Sequence, residues 1–176
     1  YAVKTVINMA RALLITLALG CSFFANAQVA VPPLNARVID QTATLSVAEV
    51  ANLEHELQMF EAKKGSQLAV LIVPTTQPET IEQYALRVAE KWKLGRKKVD
   101  DGAILLIAKN DRAVRIEVGY GLEGALNDAT SKRIISEVMI PLLKKGDFYG
   151  SITAGTEQII RVIDGEALPT VSTAKV

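Results

Sequence analysis

The sequence predicts an α/β fold, a small mixed β-sheet flanked by about four helices in a three-layer-like sandwich. Two continuous apolar runs, at 67–74 and 102–108, are typical of strands buried on both faces. A helical apolar pattern separates them, and this strand–helix–strand order implies a right-handed parallel crossover. A third run, at 113–119, alternates apolar and charged residues after a tight turn at 109–112, which indicates an antiparallel hairpin partner.

The elements before the first buried strand are predicted from capping and breaking residues. The segment 28–36 contains two adjacent prolines and is expected to be an extended leader. Residues 37–40 have the composition of a short strand. Ser46 and Glu49 are spaced as a capping box, and apolar residues then recur at helical spacing, so a helix is predicted over 46–64.

Three further helices are predicted from apolar spacing. The helix inside the crossover ends near Gly95, and its apolar face is formed by Ile81, Tyr84, Ala85, Val88 and Trp92. A third helix follows Asp128 and is expected to be kinked or stopped at Pro141. The last helix ends at Ile163. One domain is therefore expected over 37–166, followed by a disordered tail at 167–176.

The N-terminal region, 1–27, has the features of a secretory signal peptide. Arg11 precedes an uncharged apolar run at 12–24, and Ala25 and Ala27 provide the small residues expected before a cleavage site. The apolar run of about 13 residues is shorter than an ordinary membrane span.

Two routes of N-terminal processing remain open. In the first, translation starts at Met9 and the signal peptide is cleaved before Gln28. In the second, Cys21, which follows the tripeptide Ala-Leu-Gly, is the lipidated residue of a lipoprotein. Either route exports the protein to the periplasm or another extracytoplasmic compartment.

Composition and charge restrict the class of function. The chain has 176 residues and is 49% hydrophobic, which is enough for one domain with its own core. Removal of Lys4 and Arg11 from its 20 basic residues leaves 18 against 19 acidic residues, a balance that argues against nucleic-acid binding. Removal of Cys21 leaves no thiol for a disulfide, a zinc–thiolate site or nucleophilic catalysis.

The stretch Gly119–Gly124 matches the dinucleotide fingerprint G-x-G-x-x-G, but its context differs. A dinucleotide loop follows a parallel strand and opens a helix at its third glycine. Here the preceding strand closes a hairpin, and the next helix is expected near Asp128, so we expect no dinucleotide. Gly119 and Gly121 are instead predicted to adopt backbone conformations that a Cβ atom disfavours.

The hairpin is predicted to gather acidic residues at one edge of the sheet. Asp100 and Asp101 precede the second strand, and the end of its antiparallel partner brings the loop with Glu123 and Asp128 beside them. Four carboxylates at a glycine-rich turn suit Ca²⁺ or Mg²⁺, and the irregular ligand set favours Ca²⁺. A cation here would also hold a phosphate and polarise water, so Asp100 and Asp101 are the candidate catalytic residues.

Each of these residues also has a structural interpretation. Asp128 is well suited to N-cap the following helix, while Asp100 and Asp101 are ordinary turn residues before a strand. Three cations precede the cluster and either end a solvated helix or attract an anionic substrate: Arg96, Lys97 and Lys98.

Three segments carry a family resemblance: "VIDQTATLS", "WKLGRKKVDDGAILLIAKNDRAVRIEVGYGLEGALNDA" and "KKGDFYGSI". They resemble the TPM domain, a family that includes thylakoid acid phosphatase-like proteins and many exported bacterial proteins, and the similarity runs from about residue 35 to 165. The resemblance implies a helix-flanked sheet, a divalent-cation site in the acidic loops, and, for plant members, phosphatase activity linked to photosystem repair. The acidic positions that it matches are Asp100, Asp101, Glu123 and Asp128.

Two classes of function follow. The first is an exported, metal-binding and non-catalytic module that helps to assemble or maintain an envelope or membrane protein complex. The alternative is a metal-dependent acid phosphatase that acts on phosphomonoesters. His55 lies inside the first predicted helix between two glutamates, so the usual nucleophile–base pairs are absent and any chemistry falls to carboxylates and metal. We favour the binding module.

Overall fold

The computed structural model describes residues 27–165 and the isolated positions 3, 4 and 7. The predicted signal peptide lies almost entirely outside these residues, as do the start at Met9, the alternative lipidation site at Cys21 and the tail at 167–176. In the described part of the chain, no helix is long and apolar enough to cross a bilayer.

A four-stranded mixed sheet forms the centre of the molecule. Its strands lie side by side in chain order: β1 (Val38–Asp40), β2 (Gln67–Val73), β3 (Gly102–Ala108) and β4 (Ala113–Val118). The first three strands are parallel, whereas β4 pairs antiparallel with β3. The predicted parallel crossover and the predicted hairpin are therefore both confirmed.

Helices cover both faces of this sheet. In chain order they are α1 (Val47–Lys64), α2 (Ile81–Trp92), α3 (Asp128–Arg133), a π-helical turn (Ile134–Met139), α4 (Ile140–Leu143) and α5 (Phe148–Ile163). The capping box predicted for α1 is present, because the Ser46 side chain accepts from the Glu49 amide while the Glu49 carboxylate accepts from the Ser46 amide. The helix ends at Gly65, whose φ of 82° is left-handed.

The helix after Asp128 continues past Pro141. The expectation that it would stop at this residue was therefore wrong. Its middle part widens to a π-helix in which the Ile140 amide donates to the Ile135 carbonyl, five residues earlier. Pro141 has no amide hydrogen and its ring would crowd an α-helical carbonyl, so a wider turn before it accommodates the ring. Helical backbone then continues to Leu143.

The core consists of two layers, one on each face of the sheet. On one face, β2 contributes Leu68, Val70 and Ile72, which pack with α1, α5 and the π-helical turn. Its alternate residues Ala69, Leu71 and Val73 pack on the other face against α2. Burial on both faces explains why β2 and β3 are apolar without interruption.

The first part of the leader, residues 29–32, is bound to α2. Its backbone carbonyls accept four side-chain hydrogen bonds, from Tyr84 Oη to Ala30 (3.0 Å), Arg87 Nη2 to Val29 (2.7 Å), Lys91 Nζ to Val31 (2.8 Å) and Trp92 Nε1 to Pro32 (2.8 Å). Val31 is buried against this helix. The leader thus covers part of the second core layer even though it forms neither helix nor strand.

Candidate functional site

The start of β3 and the end of β4 meet at one edge of the sheet. The Gly119 amide donates to the Gly102 carbonyl (2.8 Å), and the Gly121 amide donates to the Asp100 carbonyl (2.9 Å). The Asp100 carboxylate also accepts from the Tyr120 amide at 2.9 Å. The D-D-G segment and the glycine-rich loop are therefore adjacent, as the hairpin geometry predicts.

The glycines serve close backbone approach rather than an unusual backbone conformation. Gly119 has a φ of −69°, and Gly121 is absent from the described glycines with positive φ, so the predicted conformations were wrong. A Cβ atom on Gly119 would collide with the Asp100 carbonyl, and one on Gly121 would collide with the Val99 carbonyl. The glycine pattern is therefore explained by packing between two loops.

Asp101 is buried beneath this edge and forms an ion pair with the more exposed Arg96. Its residue is 2% exposed, and its Oδ2 accepts from Arg96 Nη2 (2.6 Å), Arg96 Nε (2.9 Å) and Ser66 Oγ (3.1 Å). The remaining oxygen, Oδ1, accepts from the Arg96 amide at 2.7 Å. Both carboxylate oxygens of Asp101 are thus occupied by protein donors.

These donors determine the ionisation of Asp101. Burial by itself would raise its pKa, but the Arg96 side chain, the Arg96 amide and Ser66 stabilise the charged form, and the pKa falls below its ordinary value. Asp101 therefore remains a carboxylate at neutral pH, and its charge ties the Arg96 loop to the start of β3.

The other three predicted ligands are exposed. Asp100 precedes Asp101 in a left-handed conformation (φ 54°), which turns its side chain toward the Tyr120 amide. Glu123 and Asp128 line a groove of about 490 Å³ beside β4, together with Glu117 and Arg115. Arg115 Nε donates to the Glu117 carboxylate at 3.0 Å, so the groove retains a net negative lining.

The interpretation of Asp128 as the N-cap of its helix was wrong. The N-cap is Asn127, whose Oδ1 accepts from the Thr130 amide at 2.9 Å. Asp128 is instead the first residue of α3, where its charge is favourable near the positive end of the helix dipole. Its carboxylate is consequently not needed to satisfy the helix start.

The four predicted ligands do not converge on one point. Within residues 27–165, no group of three or more histidine, cysteine, aspartate or glutamate side chains is placed to hold a metal ion. The cause is partly visible at Asp101, which is fully committed to Arg96 and Ser66. A cation at this edge would require the exposed carboxylates to rotate toward one another.

The cations before the acidic segment divide into two groups. Arg96 is committed to Asp101, so it is not available to attract an anion. Lys97 and Lys98 are exposed and form no ion pair within the described part of the chain. His55 is exposed on α1, as a solvated helix residue would be.

Sequence reasoning missed the Arg96–Asp101–Ser66 cluster. The signal was present in the spacing, since a cation five residues before a buried aspartate can close a loop on it. The partner Ser66 lies 35 residues away in sequence, however, and only the pairing of β2 with β3 brings it there.

This architecture defines a class of protein: a mixed α/β domain whose antiparallel hairpin carries an acidic, glycine-rich loop edge. The family comparison agrees, because the model of the TPM domain matches residues 38–162. The chain belongs to the TPM domain family. No curated protein matches it.

Solved structures share the fold. The N-terminal domain of a protein from P. gingivalis is 30% identical, with a TM-score of 0.70 over 77% of this chain and 89% of that chain. The N-terminal domain of the cg2496 protein from Corynebacterium glutamicum is 17% identical, with a TM-score of 0.58 over 84% of this chain and 92% of its own. The BA42 protein of the psychrophilic bacterium Bizionia argentinensis is 16% identical, with a TM-score of 0.62 over 74% of this chain and 94% of that chain.

Proposed function

We propose that this protein is an exported, non-catalytic TPM-domain module that binds one divalent cation at its acidic loop edge. The ligands in this proposal are Asp100, Glu123 and Asp128. Cation binding would order the glycine-rich loop and prepare that edge to contact an envelope or membrane protein complex. Ca²⁺ suits the site better than Mg²⁺, because carboxylates on two separate loops offer an irregular rather than octahedral shell.

The observation that carries the proposal is the acidic groove beside β4. Glu117, Glu123 and Asp128 all line it, and Arg115, the one cation among the described residues of its lining, is paired with Glu117. Unpaired carboxylates that share a groove repel one another, and a divalent cation relieves that repulsion. Asp100 joins the same edge through its hydrogen bond to the Tyr120 amide.

Asp101 supports this site without being a ligand. Its two oxygens are bound by Arg96 and Ser66, so removing them from these donors would cost several hydrogen bonds. The same contacts fix the backbone immediately before β3. Asp101 thereby positions Asp100, whose carbonyl and carboxylate both accept from the glycine-rich loop.

Titration calorimetry of the purified protein with CaCl₂ and with MgCl₂ tests the site. We expect one saturable site that is tighter for Ca²⁺, and a melting temperature that rises with the Ca²⁺ concentration by mass action. Asp128→Asn and Glu123→Gln should each weaken binding. Glu90→Gln, which neutralises an exposed carboxylate on α2, is the charge-matched control and should leave binding unchanged.

Two results would contradict the metal site. One is the absence of saturable binding for both ions. The other is an equal loss of affinity in the Glu90→Gln control and in the groove variants, which would indicate only a general charge effect.

Hydrolysis assays separate the binding module from the phosphatase alternative. We expect p-nitrophenyl phosphate to be untouched between acidic and neutral pH, with or without Ca²⁺, since the described residues that line the groove include no hydroxyl or thiol nucleophile and no histidine base. Metal-dependent turnover that is lost in Asp100→Asn would contradict the binding-module proposal and support the metal-dependent phosphatase.

A further inference from the structure

A second cavity lies at the opposite end of the sheet from the acidic groove. It has a volume of about 760 Å³ and is formed by the end of β3, the hairpin turn, α4 and the first residue of α5. Ligands of open α/β sheets commonly bind outside the carboxyl ends of the parallel strands, which is where this cavity lies.

The cavity has an apolar interior and a cationic rim. Apolar residues from β3, β4, α4 and α5 line the interior: Ile107, Val114, Ile140, Leu143 and Phe148. Three cations also line it, namely Lys109, Arg112 and Lys144, and no carboxylate of residues 27–165 lines it. In the part of the chain that the structure describes, none of these three cations forms an ion pair.

The two nearby aspartates are committed elsewhere. Asp111, inside the hairpin turn, accepts from Thr75 Oγ1 (2.7 Å) and from the Thr76 amide (2.8 Å). Asp147 is the N-cap of α5 and accepts from the Gly150 amide at 2.8 Å. Neither carboxylate therefore forms an ion pair with Lys109, Arg112 or Lys144 in the described part of the chain.

Three features place cations and apolar surface at this cavity. Arg112 has a φ of 52°, a conformation in which glycine or asparagine would be more stable. The apolar helix α4 buries none of its four residues. Lys109 extends over the Phe148 ring, with Nζ 5.3 Å from the ring centroid, which places a cation against the apolar wall.

We propose that this cavity binds a small amphipathic anion, with an apolar body in the interior and a phosphate or carboxylate head at Lys109, Arg112 and Lys144. Its volume is within the range of ordinary small-molecule sites, which are mostly apolar with a few placed polar groups. The Arg112 guanidinium is suited to bind two oxygens of such a head group. The site is independent of the cation site proposed above, because the two share no residues.

Hexyl phosphate is the probe for this site, compared with inorganic phosphate by titration calorimetry. We expect hexyl phosphate to bind saturably, and at least about tenfold more tightly than inorganic phosphate, because its chain buries several methylene groups. Backbone amide shifts should change at 107–114 and 140–148 and remain constant in the acidic loop.

Arg112→Gly tests the rim without endangering the fold. The substitution removes a cation and also relieves a left-handed backbone, so the melting temperature should be kept or raised while hexyl phosphate binds about tenfold more weakly. Lys98→Gly is the matched control, because Lys98 is an exposed cation with a φ of 73° that precedes the start of β3, whereas the cavity lies at the end of β3. The affinity of the Lys98→Gly variant for hexyl phosphate should stay within about twofold of the affinity of the unmodified protein. Lys144→Gln provides a second rim variant and should also weaken binding.

Three outcomes would overturn the proposal. Inorganic phosphate that binds as tightly as hexyl phosphate would show that the apolar interior is not used. Equal effects of Arg112→Gly and Lys98→Gly would show that only net charge matters. Binding to phosphatidylglycerol vesicles without binding to monomeric hexyl phosphate would make this end of the sheet a membrane-contact surface rather than a small-molecule site.

Discussion

Replacement of Asp101 by asparagine separates its structural role from a role as a metal ligand. Asparagine has nearly the same shape, but its amide presents one oxygen and one NH₂ group to three Arg96 donors. Whichever way the asparagine amide is turned, its NH₂ group then faces at least one N–H donor of Arg96. The substitution also removes the charge that the guanidinium contacts.

The expected loss of stability is about 2 kcal/mol. A hydrogen bond to a charged group contributes roughly 1.5–3 kcal/mol, and removal of one partner of a fully buried pair costs more. The Arg96 side chain is 56% exposed, however, so it recovers hydration when its partner is lost, and the lower part of that range applies. For a chain of this size, the melting temperature should fall by roughly 4–8 °C.

The effect should depend on pH in a defined direction. The pKa of Asp101 is lower in the folded protein than in the unfolded chain, so its stabilising contribution is complete above the unfolded value of about 4 and is lost as the pH falls through the folded value. Urea unfolding at pH 7 should therefore separate Asp101→Asn from the unmodified protein. The difference should narrow as the pH falls below about 4.

A control and a refutation are available for this prediction. Asp164→Asn removes a half-buried carboxylate that pairs with the exposed Lys63 and Lys64, and should change stability little. The reasoning fails if Asp101→Asn unfolds like the unmodified protein at neutral pH. It also fails if that variant keeps full stability but loses Ca²⁺ affinity, since Asp101 would then be a ligand.

Three further predictions follow from other parts of the chain. Gly121→Ala should destabilise the fold by about 1–3 kcal/mol in urea unfolding, because the added Cβ would meet the Val99 carbonyl. Gly124→Ala is the control and should not destabilise the fold, because the space around Gly124 is open. Equal effects of the two substitutions would contradict the packing explanation. Trp92→Phe removes the donor to the Pro32 carbonyl and should accelerate proteolysis within the leader, a change that would be missing if the leader were held by other contacts alone. N-terminal sequencing of the exported protein should begin at Gln28, and lipid on Cys21 or an intact N-terminus would contradict the predicted cleavage.

The sequence by itself determined the elements and most of the topology. The apolar runs of β2 and β3 and the alternation of β4 are local patterns that reflect which faces are buried. The ends of α1 follow from the same kind of signal, because the Ser46 box and Gly65 act through backbone groups only a few residues away. The meeting of the acidic segment with the glycine-rich loop was also predictable, since an antiparallel hairpin admits no other arrangement of its ends.

Only the tertiary structure decided what each charged residue does. Asp100 and Asp101 are adjacent and chemically identical, yet one is exposed and the other is buried against Arg96 and Ser66. The unpaired cations on the cavity rim come from the hairpin turn and from the end of α4, which are distant in sequence. Such distinctions depend on loop paths and on distances between elements of a few ångströms, because electrostatic interactions and hydrogen bonds change over that range, while sequence periodicity records only which face of an element is buried.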